Sequence, residues 1–413
     1  MRRRLVWFAV AAACVCGGRP ATAQDDAPYA GFYDRDMTVA AGAADLLTVH
    51  RAIAALEDRW LPPQRFDESR ILTRGLGIAY RFGKWFGLDL PQDHFLIVAG
   101  HEVFGHGSRL REIGARGIRY GFDAPIPYGG GGAVTSFSGD LLVTRADALA
   151  IDTSGIESQN ALADAVARHA LADGALPYRD GWLYLESRLD GLRYIRSVSP
   201  RSGEGHDVRS FLEDFNDECD PPACAPIEAA ALKRRALLML ADPMLAYAAY
   251  TWGFAYLARG RSSAALPMIP LPGGTRYLPA LRFEMTPYGT ALTTEHAIVR
   301  RGRLTTVSMG VGDTGRRRAW QAGVAAMDVV RTARARGDIA VSVWQQPALD
   351  SPPNAQRFAS GALGAATVHI PLGRAAAGRA AALVQVGYKS DGFVRGERLH
   401  AGPILRIGAT FHP

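Results

Sequence analysis

His101, Glu102 and His106 are the residues with the clearest chemistry. They stand in Phe95-Leu-Ile-Val-Ala-Gly-His101-Glu102-Val-Phe-Gly105-His106-Gly-Ser108, an apolar run that feeds into two histidines, an acid and glycines. The familiar metal-binding helix reads H-E-x-x-H, with both imidazoles on one ion and the glutamate taking a proton from water. Here the second histidine comes one residue later, as H-E-x-x-G-H. At 3.6 residues per turn, side chains four apart lie about 40° out of line and those five apart about 140°. A regular helix therefore points His101 and His106 apart and leaves Glu102 and His106 as an ordinary i,i+4 pair. One π-type turn accommodates the extra residue, and Gly105 is where a helix distorts most easily. The spacing predicts such a turn if the two histidines share a metal.

The stretch His101-Glu-Val-Phe-Gly-His-Gly-Ser108 resembles the H-E-x-x-G-H signature of the dipeptidyl peptidase III family of zinc peptidases. The resemblance covers residues 95–172 only. It implies zinc held by His101 and His106, water activated by Glu102, and a third ligand from a glutamate on a downstream helix. Glu157, in Ile156-Glu157-Ser-Gln-Asn160-Ala161, occupies the corresponding place, 51 residues after His106. This set suits the metal, because zinc accepts neutral imidazoles and a carboxylate and leaves a fourth position to water. Glu157 has a second reading, since Ser154-Gly-Ile-Glu157 also fits an S-x-x-E capping box.

Other residues are weaker candidates. Asn160 and Asp164 share the helix face of Glu157 and are placed to orient a ligand imidazole. His94 falls on the face of His101, where packing is the expected role. His169 near a helix end fits dipole pairing. Tyr120 or Tyr128 is a candidate for polarising a carbonyl. Gly129–Gly132 lacks the Lys-Ser/Thr of a phosphate loop.

The elements that position these residues follow from periodicity. Apolar spacing from Ala43 predicts a helix ended by Pro62-Pro63, and a second helix covers 68–86. A third opens at Pro91, carries the histidines and closes at Gly114 and Gly117. Residues 24–42 show no period and are expected to lead loosely into the fold. Residues 118–143 read as extended chain around a glycine turn, and 154–171, 182–194 and 208–215 as helices. The apolar stretch 232–259 is broken by Asp242-Pro243, which argues for a buried or membrane-apposed helix rather than a span.

Beyond Gly274 the pattern changes to eight alternating segments: 277–285, 290–299, 304–311, 319–329, 339–345, 363–371, 382–388 and 403–411. Segments of about ten residues with tight turns resemble bacterial outer-membrane β-barrels, and eight strands is the usual minimum. The expected fold is therefore α+β: a mainly helical, zincin-like part over 24–265, then an antiparallel β-barrel of about eight strands over 266–413, in the outer membrane.

Composition narrows the classes. Hydrophobic content of 48% and charged content of 21% describe a folded protein rather than a disordered one. Met1-Arg-Arg-Arg4, an apolar run to Cys16 and Ala21-Thr-Ala23 form the three parts of a secretory leader over 1–23. Without its four arginines the net charge of +7 becomes +3, too little to argue for nucleic acid. Cys219 and Cys224, flanking Asp-Pro-Pro-Ala, are expected to form a local disulfide in an oxidising compartment. Two expectations result. One is an exported zinc hydrolase acting on a peptide or protein, with membrane association through the barrel; the other is a barrel-anchored assembly protein without a catalytic metal.

Overall fold

The computed structural model describes residues 29–411, except 126, 128–131, 140, 142, 204, 218, 333 and 373–379. The leader, Tyr128 and most of the glycine run lie outside the described residues. The chain folds as helices packed against a large antiparallel sheet, so the α+β expectation holds at that level.

Strand β1 (Tyr29–Tyr33) precedes α1 (Val39–Trp60), which Leu61 and the following prolines end. Helical chain then runs unbroken over 71–112. It contains α2 (Ile71–Lys84), a π segment Trp85–Asp89, α3 (Leu90–Ala99), a second π segment Gly100–His106 and α4 (Gly107–Glu112). The two helices expected from the sequence are thus one, because Pro91 sits in the first turn of α3, where a missing N–H is tolerated. A hairpin of β2 (Arg116–Phe122) and β3 (Ala133–Ser138) follows.

The central helix is α5 (Arg145–Asp173), buried over most of its length. Thr144 and Asp147 form its capping box and Gly174, at φ 74°, its left-handed C-cap. Around it lie α6 (Tyr178–Ser197), α7 (Asp207–Asn216), α8 (Ala229–Ala236) and α9 (Pro243–Ala249), which continues as a π segment Tyr250–Ala258. Asp242 caps α9 through Met244 N at 3.0 Å, so the interruption at Asp242-Pro243 is a helix start. The Cys219–Cys224 disulfide is formed.

All eight expected strands are present: β7 (Thr275–Thr286), β8 (Gly289–Arg300), β9 (Arg303–Asp313), β10 (Arg318–Arg331), β11 (Arg336–Pro347), β12 (Phe358–Pro371), β13 (Ala380–Lys389) and β14 (Gly402–Phe411). The short β4 (Ala175–Pro177) and β5 (Ser263–Ala265) pair separately, and β6 (Ile269–Leu271) joins β7. The expected closed barrel is corrected. The sheet has ten strands in the order β1-β14-β13-β12-β11-β10-β9-β8-β7-β6 and remains open between β1 and β6.

The edge at β1 is terminated by a helix instead of a strand. Ala30 N donates to Thr48 Oγ1 at 2.9 Å and Phe32 N to Asp45 Oδ1 at 2.7 Å, both acceptors on α1. Residues 29–33, expected to be loose, are ordered because β14 and α1 hold them from either side. That pairing is across the whole chain, so local periodicity could not show it.

The main core crosses the composition change near residue 266. Leu162 and Val166 of α5 pack with Leu278, Val299 and Leu304 of the sheet, each buried side chain contributing about 1.5–3 kcal/mol. Away from the helices the strand polarity is reversed. On β11, Ile339, Val341 and Val343 are exposed while Trp344 and Gln346 are buried; on β14, Leu405 and Ile407 are exposed while Arg406 is buried. Arg406 is paired with Asp34 and Glu397, so the sheet carries charges on its inner face and apolar side chains on its outer one.

Candidate metal centre

His101, Glu102 and His106 lie on the π segment Gly100–His106, the turn that the H-E-x-x-G-H spacing requires. Pairing of residues five apart brings the imidazoles to the same side, with ring centroids 4.9 Å apart. The helix can bulge here because α5 comes close on glycine. A Cβ on Gly105 would lie 2.7 Å from Ser154 O and 2.9 Å from Gly155 Cα. A Cβ on Gly155 would collide with the His101 ring. Gly105 and Gly155 together create the space in which both imidazoles turn the same way.

They turn toward Asp207, the first residue of α7. Its Oδ2 lies 2.8 Å from His101 Nε2 and 3.2 Å from His106 Nε2. The carboxylate that joins the two histidines is therefore Asp207, not Glu157. Three donors, one from each residue, lie within 4.8 Å of one another. His106 Nδ1 is 2.9 Å from Ile151 O, and a carbonyl only accepts. That bond places the proton on Nδ1 and leaves Nε2 as the available lone pair. The Gln159 amide lies 3.4 Å from His101 Nδ1, and the Tyr194 ring packs edge-on to His101 at 5.7 Å. Tyr194 OH also accepts from Asp207 N at 3.1 Å, which ties the carboxylate to the same wall.

The electrostatics favour a cation between these groups. Burial alone would push His106 down, but Asp207, with Glu102 behind it, raises it to about 9. Burial would push Asp207 up, and the two imidazoles instead hold it well below the usual carboxylate range. Nearby Asp152 is pushed up to about 8 by burial and by Asp214 and Asp207, so it is mostly neutral near pH 7 and leaves Asp207 as the charged carboxylate beside the imidazoles. Tetrahedral zinc with ligands at 2.0–2.2 Å would set donor atoms about 3.3–3.6 Å apart. The Asp207 oxygen would have to withdraw by a few tenths of an ångström from His101, and with all three donors within 4.8 Å of one another the set is compatible with a divalent cation.

Glu102 is buried beside this cluster, and its carboxylate accepts from Thr135 Oγ1 of β3. The hairpin thus fixes the acid that follows the first histidine. Glu157 is engaged elsewhere: Arg109 Nη2 donates to its Oε2 at 2.7 Å and Gly396 N to its Oε1 at 2.7 Å. Nor does it cap a helix, because α5 starts at Arg145 and Glu157 is in its interior. Asn160 and Asp164 accept from Arg188 rather than orienting an imidazole. Tyr120 OH accepts from Arg111 at 2.7 Å. His94 lies 3.4 Å from Glu186 in a second group with Asp190, but Arg193 bridges both of those carboxylates.

Asp207 was not legible in the sequence. Its only local signal is an acid at a helix start in Gly205-His206-Asp207, a place where acids favour the helix dipole in any protein. Compared with protein-family models, curated proteins and solved structures, the chain matches none of them.

Proposed function

We propose that the chain is an exported zinc-dependent hydrolase that cleaves peptide bonds, with His101, His106 and Asp207 as ligands and Glu102 as general base. The observation that carries this reading is the convergence of both Nε2 atoms of a π turn on one carboxylate oxygen at the start of α7. Zinc, when bound, supplies a Lewis acid that makes water a nucleophile near neutral pH. The chain's own part is to orient and to move a proton. Ile151 O and Asp207 fix the His106 ring. Glu102, anchored by Thr135, takes the proton from water and passes it to the leaving amine. Peptide as the substrate comes from the resemblance of the motif.

The outer face of the sheet supports a place in the outer membrane. Strands β7–β14 have 10–14 residues, enough for tilted strands to cross the hydrocarbon layer. Their outward side chains are mainly apolar, and α1 covers the β1 edge whose free N–H groups lipid could not satisfy.

Metal analysis of the purified protein beside a peptide-hydrolysis assay tests the reading. About one zinc per chain is expected, with Glu102→Gln keeping the metal and losing hydrolysis. A protein that takes up no added zinc, and in which Glu102→Gln has no effect, would instead be the non-catalytic assembly protein.

A further inference from the structure

We infer that the outward face of residues 71–88, formed by α2 and the π segment after it, rests on an anionic lipid surface. The polarity of this helix is inverted. Ile71 is 91% and Leu72 76% exposed, and Phe82 and Phe86 are also exposed, while Arg81 is 0% and Lys84 5% exposed. The buried charges are satisfied inside the protein. Arg81 pairs with Glu68 and donates to Leu257 O at 2.9 Å; Lys84 donates to Glu57, Asp89 and Tyr178, each at 2.9 Å. Between 75 and 88 those two are the only charged residues, so the outward face there carries none. An amphipathic helix in a water-soluble body turns the opposite way.

Charge complementarity identifies what covers this face. Arg70 and Arg74 are exposed at its N-terminal end, and Arg65 lies over the Tyr80 ring at 5.6 Å midway along it. Arg59 is exposed on the preceding helix, with Asp67 the one exposed carboxylate among residues 59–88. Trp60, next to Arg59 in the chain, is 80% exposed. Arginines and a tryptophan at the rim of an apolar helix face match phosphate headgroups above acyl chains. The π segment Tyr250–Ala258, which packs on α2 through Arg81, widens the face with exposed Tyr250 and Phe254. Arg259 lies over the Phe254 ring at 4.4 Å and adds a further cation.

The consequence concerns access to the candidate centre. Residues 71–112 form one unbroken helix, and His101 follows Leu88 by thirteen residues, about 20 Å of helix rise. A lipid-bound face at 71–88 holds His101 and His106 close to the bilayer, where substrates attached to or emerging from it would arrive. The inference stands whether or not a metal binds there.

The test uses the whole chain with Cys14→Ser and Cys16→Ser and the native disulfide intact. It is reconstituted with vesicles of phosphatidylethanolamine and phosphatidylglycerol containing spin-labelled phospholipid. Single cysteines carrying an environment-sensitive dye replace Leu72, Phe82 or Phe86, with references at Val341 on the outer sheet face and Arg201 in an exposed loop. Labels at 72, 82 and 86 are expected to shift to the blue and lose most of their emission, while the label at 201 does not. Neutralising Arg59, Arg65, Arg70 and Arg74 to glutamine is expected to restore part of that emission. Labels at 72, 82 and 86 that stay solvent-like while the label at 341 is quenched overturn this inference and leave the sheet reading standing. Quenching at 72, 82 and 86 but not at 341 does the reverse. Quenching at 201 as well would show a contact not confined to this face and overturn it too.

Discussion

Half-buried Asp207 and buried Glu157 are two carboxylates, each close to the same pair of crossing helices, and they differ in what already faces them. Asp207 Oδ2 meets two imidazoles, whose ring nitrogens can exchange a proton for a metal. Glu157 meets a permanently charged guanidinium and a backbone N–H. A metal can replace protons on the imidazoles, but it cannot take Glu157 from Arg109 without breaking a buried ion pair. Residue type and spacing nominate a ligand, whereas its resident partner decides whether it is free to act.

The contrast can be broken most directly at its two ends. Asp207→Ala is expected to reduce bound zinc to background and abolish hydrolysis, whereas Glu157→Gln leaves the metal content unchanged; elemental analysis of both proteins decides. Retention of metal by Asp207→Ala together with its loss in Glu157→Gln would reverse the assignment. Glu102→Gln comes next, with kcat lowered by about 10²–10⁴-fold at full zinc occupancy.

Glu157→Ala should act on stability rather than on the metal. It leaves buried Arg109 with Glu112 as its one carboxylate, so a cost at the lower end of about 3–5 kcal/mol in denaturant unfolding is expected. Gly155→Ala forces a methyl group against the His101 ring, so a cost of about 1–3 kcal/mol is expected with weaker zinc retention under chelator challenge. The smallest effect belongs to Thr135→Val, which frees the Glu102 carboxylate without touching a ligand. A fall in kcat with unchanged zinc content would show that the hairpin positions the base.

The eight strands of the tail were readable because alternation and turns are local, and each appears where the pattern placed it. The π turn was readable for a different reason: two histidines five apart cannot converge on a regular helix, so the motif itself demanded a bulge. Both failures involve partners distant in the chain. Tyr29–Tyr33 became an edge strand only because β14 and α1 flank it. That edge, terminated by Thr48 and Asp45, is also where the expected barrel stays open.

By itself, then, the sequence determined the helix and strand periods, the local disulfide and the distortion that His101 and His106 require. These depend on residues within a few turns of one another. The tertiary structure alone decided that Asp207 faces the imidazoles, that Arg109 occupies Glu157 and that the apolar side of 71–88 points outward. Each of those outcomes depends on which charges meet in the interior, and a buried charge is settled by its partner in space rather than by its neighbours in the chain.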